Sequence, residues 1–428
     1  MKFKRALAGI AATLALATGL AACGTPSTPS TEATDKLELI SWWTSGSEEE
    51  ALKVLTDAFQ AKYPDVKVEN APVVGGGGTN AQVVLAQRLL AGDPPDVWQT
   101  FPNGALKAYA AQRQLADVTS VASDSGLSTN IPQVILDGLT VDGKQYGVPT
   151  SSHRGNVWFF NLDALQKAGV SRPGNGYKAT DWIADLKKVK DSGGVPLCLG
   201  AKDAFTTVTL FENILLSVVG PEGWDLIAAD RFDWKGPQVK LALGLFGQAL
   251  DQVDPAASGL SWDQATKKLG SGECAFEVMN DSAYGELVKA GAVDGKTFGE
   301  MPFPGTESSY VAVVDTFVQA RAAENGKNAS EFLAVLADPT VQTNFSKVKG
   351  SVPVRTDADV TSLSPYQQSA AKALRDSRVL WSITHGSAMS PTFQQGFYSA
   401  VNAYVRTRDA KAFSSTLIDA VAAAPPQR

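Results

Sequence analysis

The chain has 428 residues, with 38 Lys plus Arg against 44 Asp plus Glu, two His and three Cys. At roughly 150 residues per domain that length suggests two or three domains or lobes, and 44% hydrophobic residues with nine Trp exclude wholesale disorder. The acidic balance shows no basic stripe, which excludes an ordinary nucleic-acid binder. Two His and three scattered Cys leave little material for a zinc site, so no metal and no cofactor is expected.

In chain order, Lys2, Lys4 and Arg5 precede an uncharged run from Ala6 to Leu20. That run is short and Ala-rich for a membrane span and reads as an export signal over residues 1–22. Leu20-Ala21-Ala22-Cys23 resembles a bacterial lipobox, with lipid expected on Cys23. Removing 22 of the 428 residues, with their three basic side chains, leaves 35 basic against 44 acidic groups, a net of −9. Residues 23–35, rich in Pro, Ser and Thr, read as a tether. Together these features place the folded body outside the cell, held at the outer face of the membrane.

Leu37 to Trp43 reads as a strand. Ser47 with Glu50 forms a capping-box pattern that starts a helix whose apolar face is Leu52, Leu55 and Phe59. Val66 to Ala71 is a strand, Gly75 to Gly78 a loop, Asn80 to Ala91 a helix and Val97 to Gln99 a strand. Helices follow over 181–191, 205–219, 237–252, 261–269, 393–406 and 410–423. Alternating elements of this length predict an α/β layer with a partly parallel sheet. No second linker interrupts the body, so two lobes must be packed closely or built from interleaved segments. Cys198 and Cys274 each lie in a strand-like run, and a disulfide between neighbouring strands is expected, with two buried thiols as the alternative.

Enzyme signatures are missing. There is no G-x-S-x-G elbow, no Walker loop at the Gly75 run and no HExxH, since His153 and His385 are far apart. No carboxylate pair supports a glycosidase. Binding chemistry has better support. A sugar offers an apolar C–H face that stacks on an aromatic ring and a rim of hydroxyls that need donors and acceptors. Trp42 and Trp43 are candidates, one expected to face the core and the other a cleft, because adjacent residues of a strand point to opposite faces. Trp262 stands at a loop-to-helix junction. Asp281 ends an apolar strand, where it could bind or cap the next helix. Asp315 follows Tyr310 to Val314, so its charge needs a partner or a ligand. His385 stands in a loop between helices.

In order along almost the whole mature chain come Ser41-Trp42-Trp43-Thr44-Ser45-Gly46, Gly75 to Gly78, Gly92-Asp93-Pro94-Pro95-Asp96, Val148-Pro149 with His153-Arg154-Gly155-Asn156, Leu260-Ser261-Trp262, Val278-Met279-Asn280-Asp281, Asp315-Thr316-Phe317, Lys349-Gly350-Ser351 and His385-Gly386. In these the chain resembles the family-1 extracellular solute-binding lipoproteins of carbohydrate ABC importers, and within them bacterial glucose-, galactose- and mannose-binding proteins. The resemblance implies an α/β, two-lobed periplasmic-binding-protein-like fold of type II. Its lobes would be 36–150 plus 310–356, and 151–309 plus 357–428, with hinge strands near Val148 to Ser152 and Ser309 to Ala312 and a third crossing after Arg355. It implies a sugar bound between the lobes by Trp42, Trp43, Asp315, Lys349 and His385, with Gln99 and Trp262 at further site positions. It also implies permease subunits as partners, a monomer and no catalysis. Two positions depart from relatives: Ser282 where a Trp is frequent, and Phe101 where a polar residue is frequent. Both bear on which sugar is bound, so xylose or a disaccharide is the alternative ligand. A sugar-presenting sensory module is the alternative role.

Overall fold

The computed structural model describes residues 34–174 and 176–424. The expected signal, the lipidated Cys23 and the tether up to residue 33 lie outside the described residues.

The chain opens as alternating strand and helix: β1 (Lys36–Ile40), α1 (Gly46–Lys62), β2 (Lys67–Asn70), α2 (Thr79–Ala91) and β3 (Val97–Thr100). Three short helices follow, α3 (Gly104–Ala111), α4 (Thr119–Asp124) and α5 (Gln133–Leu139), then a small hairpin of β4 (Thr140–Val141) and β5 (Lys144–Gln145). The centre holds β6 (Val148–Arg154), β7 (Val157–Asn161), α6 (Leu162–Lys167), α7 (Ala179–Asp191), β8 (Leu197–Cys198), α8 (Ala204–Ala228), α9 (Pro237–Leu250), α10 (Trp262–Ser271), β9 (Phe276–Val278), α11 (Ser282–Lys289) and β10 (Phe298–Pro302). It closes with β11 (Ser309–Gln319), α12 (Gly326–Leu336), α13 (Pro339–Lys349), β12 (Val352–Pro353), α14 (Pro365–Asp376), β13 (Arg378–Trp381), α15 (Pro391–Thr407) and α16 (Ala410–Ala423).

Two main sheets result. The first runs β12-β6-β11-β3-β1-β2, with β13 also paired to β11. β1 pairs in parallel with β2 and β3, whereas β11 is antiparallel to both β3 and β6. The second runs β10-β7-β9-β8. β6 belongs to the first sheet and β7, two residues later, to the second, so the chain changes sheet there. Each sheet has its own apolar core. One gathers Leu39, Leu55, Phe59, Trp98, Phe317 and Phe332; the other gathers Trp158, Trp182, Phe211, Phe246, Phe276 and Phe397. Helix α8 is apolar on all sides because it is buried among β9, α9 and α15. Gly220, at φ 66°, and Pro221 break it internally. Cys198 on β8 and Cys274, just before β9, form a disulfide with Cα atoms 5.7 Å apart.

Three local expectations fail for physical reasons. The Ser47–Glu50 capping box is absent, because α1 begins at Gly46 and no side chain caps its start. The Ser47 N–H instead donates to Glu286 on α11 at 3.0 Å, and Glu50 pairs with Lys289 at 2.9 Å. β1 ends at Ile40, so the strand alternation invoked for Trp42 and Trp43 does not reach them. His385 follows strand β13 rather than a helix; the short β13 is held by parallel pairing to Ser309–Ala312 of β11, which its own pattern does not announce.

Candidate functional site

β1 and β3 end together on one edge of the first sheet, and a parallel edge of this kind is where ligands bind in open α/β layers. Trp42 and Trp43 leave β1 at that edge. They line a narrow cleft with Glu48, Gly77, Phe101, His153, Phe205, Trp262, Met279, Asn280, Ser282, Val313, Asp315, Lys349 and His385.

One wall is aromatic. The Trp42 and Phe101 rings lie 5.3 Å apart, Phe101 meets His385 edge-on at 5.3 Å, and Phe205 meets His385 at 6.1 Å. The Gly76–Gly78 turn lies against these rings. A Cβ on Gly78, whose φ is +75°, would sit 2.8 Å from the Trp42 ring, and one on Gly76 would sit 2.5 Å from Phe205. The glycine run is therefore a packing requirement of this wall.

The other wall is charged and internally paired. Asp315, in the middle of β11 and 3% exposed, accepts from Ser151 Oγ at 3.0 Å. His153 on β6 lies between two carboxylates: its Nδ1 is 2.5 Å from Asp281 and its Nε2 makes a 3.3 Å ion-pair contact with Asp315. Burial and Lys349 push the His153 pKa down, but Asp281 and Asp315 outweigh them and hold it above its usual value. Burial would raise Asp315; Lys349, His153 and Ser151 prevail and lower it. Lys349, at the end of α13, donates to Glu48 at 2.6 Å and lies 5.1 Å over the Trp43 ring. Burial raises Glu48 despite that cation. His385 is depressed to about 3 by burial, His153 and Lys349, so it is a neutral imidazole.

Of the residues singled out in the sequence, Trp42, Trp43, Trp262, Asp315, Lys349 and His385 line the cleft. Gln99 and Asp281 stand behind it. Gln99 accepts from Ser41 Oγ at 3.0 Å and reaches Asp315 at 3.5 Å, bracing both β1 and β11. Asp281 occupies the N-cap position of α11 without a side-chain cap bond. Its carboxylate takes the Arg154 N–H at 3.0 Å and the Tyr366 hydroxyl at 3.1 Å besides His153. Asn280 caps instead, accepting from the Ser282 N–H at 3.0 Å. Both Trp42 and Trp43 face the cleft, although Trp43 also packs on Phe317 and Phe345. Sequence reasoning missed Glu48, Phe205 and His153 as lining residues. His153 could have been found, since the chain has only two His.

Side-chain contacts tie together the segments that flank the cleft. Glu286 from α11 accepts from Ser47 of α1 and makes a 3.2 Å ion-pair contact with Lys267. Asp203 accepts from Gly76 at 3.4 Å and from Trp262 at 2.9 Å, joining the glycine turn to the start of α10. Among the described residues no group of three His, Cys, Asp or Glu could hold a metal ion.

Residues 45–343 match the family model described as bacterial extracellular solute-binding protein. The chain is 30% identical over 399 residues to an uncharacterised ABC transporter extracellular-binding protein of Pyrococcus horikoshii, covering 93% of this chain and 90% of the relative. It is also 30% identical to a "probable sugar-binding periplasmic protein" of Brucella suis, covering 90% and 92%. Among solved structures, a chitin oligosaccharide binding protein superposes with a TM-score of 0.79 at 17% identity, over 91% of this chain and 98% of that one. With its two cored sheets and this match over most of its length, the chain belongs to the bacterial extracellular solute-binding proteins and has their two-lobed type II α/β fold.

Proposed function

We propose that the protein is the substrate-binding component of a sugar ABC importer and captures a monosaccharide of the glucose, galactose or mannose class. The supporting observation is the cleft itself. It sets stacking rings opposite buried polar groups whose charges are already paired. Trp42 and Phe101 offer faces for sugar C–H groups. Asp315 and Glu48 accept, and Lys349 donates, charge-assisted hydrogen bonds to hydroxyls. The internal pairing suits a neutral ligand, and fixed ion pairs of this kind serve binding better than proton transfer.

Lobes of residues 36–150 plus 310–356 and 151–309 plus 357–428, hinged on β6 and β11, would close on the ligand. The ligand stabilises the closed state by touching both lobes. Closure presents both lobes to permease subunits. Export with lipid on Cys23 would hold the monomer at the outer face of the membrane.

A thermal-shift screen of residues 36–428 against mono- and disaccharides tests this reading, because a ligand that binds only the folded state raises the melting temperature. A shift with glucose, galactose or mannose supports it. A shift confined to xylose or a disaccharide moves the specificity and assigns it to Phe101 and Ser282. No shift with any sugar removes it.

A further inference from the structure

His385 faces the cleft, but its other nitrogen is held from behind. Nδ1 lies 2.9 Å from Ser382 Oγ, and that hydroxyl lies 3.1 Å from both carboxylate oxygens of Glu212 on α8. Glu212 is 1% exposed and Ser382 is fully buried. Neither lines the cleft. The resemblance to sugar-binding proteins assigns neither a role.

The hydrogen-bond inventory of this line is tight. Ser382 Oγ has one proton to give, and it already accepts the His385 backbone N–H at 3.2 Å. Glu212 Oε1 accepts the N–H groups of Ile383 at 2.6 Å and Thr384 at 3.1 Å. Only Oε2 is therefore left to carry a proton. The Thr384 hydroxyl also lies beside Glu212 as a further donor. For Glu212, Ser382 and His385 Nδ1 two arrangements remain. With Glu212 ionised, Ser382 donates to it and accepts from His385 Nδ1–H, so Nε2 carries a bare lone pair. With Oε2 protonated, Glu212 donates to Ser382, Ser382 donates to Nδ1, and Nε2 carries the hydrogen. The imidazole is neutral in both, and the proton gained at Glu212 comes from solvent.

We propose that Glu212 and Ser382 are positioning residues that set the tautomer of His385, so that the ionisation of Glu212 decides whether the cleft offers a ligand hydroxyl an acceptor or a donor. This rests on the reading of His385 as a ligand contact only for its consequence; the tautomer coupling stands without a sugar. Burial pushes Glu212 up to about 7, which brings the change near neutral pH. The titratable neighbours do not mimic it. Tyr398 of α15, which donates to Thr384 O, stays neutral because burial and Glu212 raise it. Across the cleft His385 is faced by His153, Asp315 and Lys349.

The test is long-range proton–nitrogen NMR of the two imidazoles in uniformly ¹⁵N-labelled, sugar-free residues 36–428. The two imidazoles are told apart by assignment, and His385 gives a neutral pattern. The expected result is an Nδ1–H tautomer at pH 8.5 that converts to Nε2–H as pH falls to 5.5. In Glu212→Gln the Oε1 position keeps its two backbone donors, so the amide nitrogen takes the Oε2 position and donates to Ser382. That variant should show Nε2–H across the whole range. Ser382→Ala should uncouple the tautomer from both pH and residue 212. A tautomer unmoved by pH in the wild-type protein overturns the proposal even if Glu212→Gln does not fold. A moving tautomer with no sugar bound in the thermal screen would leave this inference standing and remove the sugar reading.

Discussion

Lys349 and Glu48, 301 positions apart in the chain, meet at 2.6 Å with the ammonium over the Trp43 ring. The pair joins α13 to the first turn of α1, and Lys349 is also the cation that lowers Asp315. Removing one partner orphans the other. Lys349→Met should therefore destabilise the protein more than the double variant Lys349→Met with Glu48→Gln, by about 1–3 kcal/mol in urea unfolding. Equal stabilities would show that the pair is solvated.

Asp315→Asn keeps the shape of the side chain but removes the charge facing His153 Nε2. Sugar affinity by calorimetry should fall by about 10- to 100-fold, the loss of one charge-assisted hydrogen bond. The same substitution should lower the pKa of His153, because Asp315 is one of the two groups that raise it.

Glu286 does not line the cleft but ties α11 to α1. Glu286→Ala should shift the sugar-free protein toward an open form, seen as a larger radius of gyration in X-ray scattering. Sugar affinity should weaken by about 5-fold, the equivalent of one lost hydrogen bond holding the closed state. An unchanged radius and affinity would mean that closure does not depend on this contact.

Burial raises Glu212 to about 7 and Glu277 to about 8. Both values exceed the ordinary carboxylate range, so between about pH 4.5 and 8 these two groups bind more protons in the folded state than in the unfolded one. Their contribution to stability falls as pH rises through that window; His385, depressed to about 3, opposes it only below about pH 6.5 and is outnumbered by the raised groups. His153, also raised, acts in the same direction. Asp315, lowered, acts only below about pH 4, where its contribution is lost. The melting temperature should be higher at pH 5.5 than at pH 8, and Glu277→Gln should flatten the difference.

The Cys198–Cys274 bridge closes a 76-residue separation. On the chain-entropy account such a loop is worth about 4 kcal/mol. Reduction should lower the melting temperature and raise the intact mass by two hydrogens; no mass change would show two thiols.

Much of this architecture is legible in the sequence where a pattern is local. The helices over 79–91, 179–191 and 410–423 follow from apolar periodicity, and the aromatic wall from Trp42 and Trp262. What is not legible depends on partners distant in the chain. Ser47 reads as a cap because S-E-E-E is a local signal, yet its N–H is claimed by Glu286, 239 positions away. Asp281 reads as ligand or cap, yet His153, 128 positions away, takes its carboxylate. Glu48 resembles any helix-start acid until α13 brings Lys349 to it. In each case a long-range charge overrides the local rule.

The pairing of β6 with β11 carries one irregularity: Asp315 opposes Ser151 while Thr316 opposes Pro149, leaving Thr150 as an extra residue whose hydroxyl donates to Asp315 O at 3.2 Å. That single residue sets the phase of everything beyond it. Ser151 and His153 reach Asp315 only because the count is offset by one at Thr150. Hence this segment tolerates changes of letter far better than changes of length. Over evolutionary time such a protein can retune its ligand by swapping side chains around the cleft, while any gain or loss of a codon between Val148 and Arg154 would turn its charged wall out of the cleft in one step.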